Sequence, residues 1–204
     1  MPYKTDGSRE YRAFGVPQLA TQDDGGSKAY KVRGYATTFD APYDFGLDGV
    51  REQVRSTALD GADMSDVIFQ LNHEGAVLAR TRNGTLSITR DEHGLLVDAD
   101  LSGSQQGRDL YEAIANGLID RMSWGFAVDP DAGWSWDEST RTSTIEKVIK
   151  VFDVSAVSIP ADADTEIHAR SYIDGVIEAE REEFARRGRE QRERMALVLR
   201  LKTL

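Results

Sequence analysis

The chain has 204 residues, of which 40% are hydrophobic, contains no cysteine and carries a formal net charge of −10. That length suits one domain plus an appendage, and the missing cysteines exclude disulfides, thiolate metal sites and cysteine nucleophiles, as a reducing compartment would allow. The acidic balance repels phosphate backbones and no run approaches the ~20 apolar residues of a membrane-spanning helix, so the expected partner is protein rather than nucleic acid or membrane.

Residues 1–28 begin with the polar "MPYKTDGSREYRAFG", which lacks the apolar stretch of a secretory signal. They end in "ATQDDGGSKA", a Gly/Asp/Ser-rich run that reads as a flexible lead-in. From Ala29 the pattern turns to strands. "AYKVRGYATTF" alternates and is rich in aromatic and β-branched residues. Val67–Leu71, Ala76–Arg82, Thr85–Arg90 and Leu95–Leu101 continue it, with turn signals at Asn83-Gly84 and Asp91–Gly94. This reads as a meander of antiparallel strands. One helix interrupts it: Ser104 can cap its start, Leu110, Tyr111, Ile114 and Leu118 recur at helical spacing, and Gly117 suits the end. "RMSWGFAV", a Trp-bearing hairpin tip and the apolar "TIEKVIKVFDVSAVSIPA" complete the strands. The tail is dominated by charge and helix formers, with a thin apolar stripe of Ile173, Val176, Ile177 and Phe184; a solvated helix and a docking helix are both open. The expected fold is mainly β with helices (α+β): an antiparallel, closed or nearly closed β-barrel of about seven strands with a charged C-terminal helix. The expected division is a flexible lead-in over 1–28, a β-barrel domain over 29–169 and a charged helical segment over 170–204.

The chemistry-bearing candidates are few. His93 lies in a turn-like "DEHG" and reads as solvated, and His168 stands where the charged tail begins. His73, in "IFQLNHEG", falls at a strand end, where a rigid scaffold can present a functional side chain. The zinc-protease pattern H-E-x-x-H fails because Val77 stands at its last position, and no metal or organic cofactor is expected. Ser123 lacks the nucleophile elbow G-x-S-x-G, since Arg121 stands where the first glycine belongs. Strand alternation puts Trp124, Phe126 and Val128 on one face and Ser123, Gly125 and Ala127 on the other. On spacing alone, Ser123 is equally a nucleophile or a small residue packed under a neighbour. Asp153 sits in so apolar a strand that it needs a partner. Lys147 or Lys150 would make it structural; His73 would make it the acid that fixes an imidazole for Ser123.

Three blocks, "FQLNHEGAVLARTRNGTLSITRDEHGLLVDADL", "GRDLYEAIANGLIDRMSWGFAV" and "FDVSAVSIPADADTEIHA", resemble in order those of the tailed-phage (HK97-type) prohead maturation proteases. "GYATTFDAPY" is similar to that family's first strand, and the resemblance runs from about Ala29 to Ala169. It implies a serine endopeptidase with a β-barrel core, related in fold to the herpesvirus assembly proteases. Such an enzyme works in the host cytoplasm inside the assembling prohead. Its implied partners are the major capsid protein and the scaffold, from which it cuts scaffolding regions, and it typically cuts itself. A homodimer is implied by analogy with the herpesvirus relatives. The family's histidine matches His73 and its serine Ser123. Its acidic position, commonly glutamate, is Asp153 here, and the second histidine of the herpesvirus enzymes leaves His168 as an alternative. Arg80 or backbone amides are candidate oxyanion donors. A non-catalytic capsid or scaffold interaction module is the rival reading; it does not require Ser123, His73 and Asp153 to meet.

Overall fold

The runs rich in Val, Ile, Thr and aromatic residues form strands in the computed structural model, which describes residues 9–13, 19–22, 30–44, 49–158 and 186. All of these except Arg186 belong to one unit, Thr5–Glu166. Among the described residues the strands make three sheets. The largest has the order β1 (Glu10–Ala13), β10 (Arg121–Val128), β13 (Val148–Val157), β6 (Ile68–Leu71) and β7 (Glu74–Arg80). A second runs β11 (Trp134–Asp137), β12 (Thr142–Ile145), β5 (Arg51–Val54), β4 (Tyr43–Asp44). The third runs β2 (Leu19–Gln22), β3 (Lys31–Thr38), β9 (Gly94–Asp100), β8 (Leu86–Arg90).

These sheets do not close into a barrel, which corrects the expected architecture. The physical reason lies in the pairing. β6 pairs parallel with β13, and β5 pairs parallel with β12. Parallel neighbours need long crossovers instead of tight turns, so the chain leaves each sheet between them. β7 and β8, consecutive in sequence, end up in different sheets on either side of a single 3₁₀ turn, Thr81–Asn83. The apolar faces are covered by packing onto one shared core instead of by edge closure. That core takes Val32 from β3, Val54 from β5, Leu95 and Val97 from β9, and Trp124 and Phe126 from β10. The charged helix expected over 170–204 lies outside the described residues apart from Arg186, so the described architecture is three sheets and one α-helix.

That helix, α1 (Gln105–Ala115), starts where the sequence signals it. The Gly107 amide donates to Ser104 Oγ at 3.0 Å, satisfying one of the first turn's orphan donors. Leu110, Tyr111 and Ile114 bury its apolar face. Gly117 takes φ +68° beyond the last turn, and its amide donates to Ile114 O at 3.0 Å. The apolar stripe stops there. Leu118, which extends the helical spacing on paper, is 74% exposed because the left-handed glycine has already turned the chain.

Candidate active site

The centre of the five-stranded sheet brings two sequence blocks into register. Antiparallel pairing of β10 with β13 sets Ser123 opposite Ser155 and Gly125 opposite Asp153. The side chains of Ser123, Ser155 and Asp153 share one face with the bare position of Gly125, while Trp124 and Phe126 turn the other way into the core, stacked 4.0 Å apart. The register slips immediately after this pair: Phe126 meets Val151, leaving Phe152 as the extra residue of a β-bulge. Gly125 now has a reason. A Cβ there would stand 2.2 Å from Asp153 Oδ1, so only glycine leaves room for that carboxylate.

The third side chain arrives on a hairpin. β6 and β7 are joined by Asn72 and His73, with Leu71 facing Glu74 across a two-residue turn. Both turn residues have positive φ, +51° and +59°, as a type I′ turn demands. Asparagine tolerates that region well, and here its Oδ1 also accepts from Ser158 N at 3.0 Å, while its own amide donates to Ala156 O at 2.9 Å. Asn72 thus ties the turn to the end of β13. Histidine fits the left-handed region less well, at a cost of about 1–2 kcal/mol. Because glycine alone escapes that cost, His73→Gly is expected to be about 1 kcal/mol more stable than His73→Ala, both having lost the imidazole. For a chain of this size the melting temperatures should differ by about 2–4 °C, readable by calorimetry.

The turn aims the imidazole at both partners. Ser123 Oγ lies 2.6 Å from His73 Nε2, and His73 Nδ1 lies 2.5 Å from Asp153 Oδ2. An ionised carboxylate can only accept, so Nδ1 carries the proton and Nε2 is left to accept from the serine hydroxyl. Asp153 is fully buried and receives two more donors: Ser155 Oγ on Oδ2 at 2.9 Å and the Arg9 guanidinium on Oδ1. Burial pushes its carboxyl up, but the hydrogen bond and charge of His73 together with Arg9 outweigh this and hold it below the ordinary carboxylate range. Asp153 is therefore anionic at neutral pH and has its counter-charge beside it.

β1 supplies what the sequence reading did not anticipate. Tyr11 faces Gly125 across the ladder, and its ring packs 4.3 Å from the His73 imidazole. Arg9 lies between Tyr11 and Phe152, its guanidinium 5.0 Å from each ring. Burial raises the Tyr11 phenol, with Arg9 opposing and Asp153 adding to the rise, so Tyr11 is neutral beside the imidazole. The opposite face of β1 is buried: Arg12 donates to Glu52 Oε1 at 2.6 Å and to Glu10 Oε2 at 2.9 Å, and Tyr43 donates to Glu52. This network fixes which face of β1 meets the core, and hence that Arg9 and Tyr11 meet the site. Alternation in "REYRA" is the only sequence signal that could have found them. Ser155 was likewise readable as the residue sharing a face with Asp153, two positions on.

Other sequence candidates go elsewhere. Lys147 pairs with Asp129 at 2.7 Å and Lys150 with Asp63 at 2.9 Å, so neither neutralises Asp153. Arg80 forks onto Asp66 with both bonds at 2.6 Å, which removes it as an oxyanion donor. His93 is exposed in its turn, its amide donating to Asp91 Oδ1 at 2.8 Å. His168 lies outside the described residues.

Hydroxyl, imidazole and carboxylate in one hydrogen-bonded line can deprotonate the hydroxyl during attack on a carbonyl. Neither the curated proteins nor the solved structures include a match to the chain. The family model described as caudovirus prohead serine protease, by contrast, matches residues 18–176, a span that contains Ser123, His73 and Asp153. With well over half of its length matched, this chain belongs to the caudovirus prohead serine proteases.

Proposed function

We propose that the protein is the endopeptidase of capsid maturation, acting inside the assembling prohead in the host cell. It cuts scaffolding regions from capsid or scaffold protein, with Ser123 as nucleophile, His73 as base and Asp153 as the group that orients the imidazole. The observation that supports this reading is the continuous line of hydrogen bonds from Ser123 Oγ through His73 to Asp153, at 2.6 and 2.5 Å. A non-catalytic interaction module has no need of that line, nor of a histidine held at positive φ.

The chemistry follows from the geometry. Ser123 Oγ forms a bond to the scissile carbonyl carbon as its proton passes to His73 Nε2. The imidazolium is stabilised by the Asp153 carboxylate on the other nitrogen. As the tetrahedral intermediate collapses, the carbon–nitrogen bond breaks and Nε2 returns the proton to the leaving amine. The acyl group is now held on Ser123 Oγ. Water gives a proton to Nε2 as its oxygen bonds to the acyl carbon; the carbon–Oγ bond then breaks, and Nε2 returns the proton to Oγ, releasing the acid and restoring the serine hydroxyl. Tyr11 and Arg9 shield the His73–Asp153 pair from water on one side, where a lower local dielectric strengthens it.

Co-expression of the chain with its phage's capsid and scaffold proteins tests the assignment. Wild type should shorten them and Ser123→Ala should leave them full length on a denaturing gel. A fluorophosphonate probe should label wild type at Ser123, located by peptide mass spectrometry. Unchanged processing in Ser123→Ala would remove Ser123 from the role.

A further inference from the structure

Beside the hairpin that carries His73, a groove of about 530 Å³ opens between β7 and α1. Ligand pockets commonly span about 300–1,000 Å³, so the groove can take more than one side chain. Its walls are mainly apolar: Leu71, Ala76 and Leu78 from the hairpin, Leu110 and Ala113 from α1, and Ile119 from the connection to β10. Among the described residues of the lining there are two carboxylates, Glu74 and Asp109, and no lysine or arginine. Glu74 directly follows His73, and Ile119 stands four residues before Ser123 in the segment that enters β10, so both walls are continuous with the elements that hold the base and the nucleophile. Among the described residues the hairpin wall is also a sheet edge, since β7 ends the order of its sheet, with β6 on one side. An extended peptide lying along that edge would drop alternate side chains towards the groove.

We infer that this groove is the substrate side-chain subsite, taking a large aliphatic residue of an extended peptide with a lysine or arginine as its neighbour. The inference rests on the reading of Ser123 and His73 as nucleophile and base, and it names what that site selects. The apolar walls favour leucine-sized side chains, whose burial there removes apolar surface from water. The carboxylates set the sign of the neighbouring charge. They attract a cationic side chain and repel an acidic one, and because both are exposed the preference should weaken as salt is raised.

Binding can be read without hydrolysis. Amide spectra of the full-length Ser123→Ala protein are recorded while three probes are added: acetyl-Leu-Lys-Leu-amide, acetyl-Leu-Glu-Leu-amide and acetyl-Gly-Lys-Gly-amide. The first should shift the amides of Gly75, Ala76, Ala113 and Ile119 and bind at least tenfold more tightly than the other two. Ala113→Phe should abolish those shifts by filling the groove. Glu74→Gln combined with Asp109→Asn, both at exposed positions, should bring the Lys and Glu peptides to equal affinity. Equal binding of all three probes, or shifts confined to other residues, would overturn the inference. In wild type the Leu-Lys-Leu peptide should also slow capsid-protein cleavage competitively; binding in the groove without such competition would show that it is not the substrate's subsite. The catalytic reading fails by a different result, processing that survives Ser123→Ala.

Discussion

His73→Ala is expected to slow peptide cleavage by about 10⁶, and removing Ser123 from the same molecule should add almost nothing. On the proposed roles the two side chains act as one unit. Without Nε2 to take the proton, the hydroxyl is a neutral alcohol with too little nucleophilicity to attack an amide. Without the hydroxyl, the imidazole has nothing to activate. Single-turnover cleavage of capsid protein by the two single variants and the double variant measures this directly. Costs that multiplied across the pair would show that His73 and Ser123 work independently, contrary to a 2.6 Å contact between Oγ and Nε2. Residual activity should be similar in all three proteins, because binding and whatever donors face the carbonyl oxygen remain.

Gly125→Ala is the second large effect, and it is the less obvious one. The added methyl meets Asp153 Oδ1 at 2.2 Å, with Arg9 Nε and Tyr11 Cε1 each at 2.9 Å. Arg9 and Tyr11 can give way at the ends of their side chains. Asp153 cannot: it is short, wholly buried and held by His73, Ser155 and Arg9 together. The carboxylate must therefore turn, and turning breaks its bond to Nδ1 or its pair with Arg9. Losing the orienting acid of such a triad costs about 10⁴ in kcat. Overpacking adds about 1–3 kcal/mol of lost stability. Asp153→Asn should match the kinetic loss of Gly125→Ala. If Gly125→Ala kept wild-type kcat and a wild-type melting temperature, the space opposite that glycine would not belong to the carboxylate.

Much of this site could be read from residues, and what could not has a physical explanation. Alternation assigned Trp124, Phe126 and Val128 to the core and Ser123 and Gly125 to the other face, because a pleated strand has only two sides. Two faces do not say what lies across the ladder, so a nucleophile and a packed small residue looked alike. The pairing of β13 with β6 was beyond such reasoning, because parallel partners are chosen by the whole chain and leave no turn in the sequence to mark them. The barrel failed for a related reason. A strand that is half-buried in a closed barrel and one half-buried between packed sheets alternate identically. Asn72 gave a legible hint, since Asn before a turn residue favours positive φ. Arg9 and Tyr11 gave almost none, lying in a short polar run ahead of the Gly/Asp-rich stretch at 20–29.

The parallel pair also sets a timetable. Asp153 lies 80 residues beyond His73 and 144 beyond Arg9 in the chain. Ribosomes add about 5–20 residues per second, so the hairpin with its histidine waits about 4–16 s for its acid, and β1 waits longer to be locked by it. Ser123 is made before the strand that turns the imidazole towards it. On the proposed roles, a growing chain carries a serine whose base is not held by its acid until β13 has paired between β10 and β6. Cleavage by Ser123 is then expected only after residues 148–157 have been made and paired.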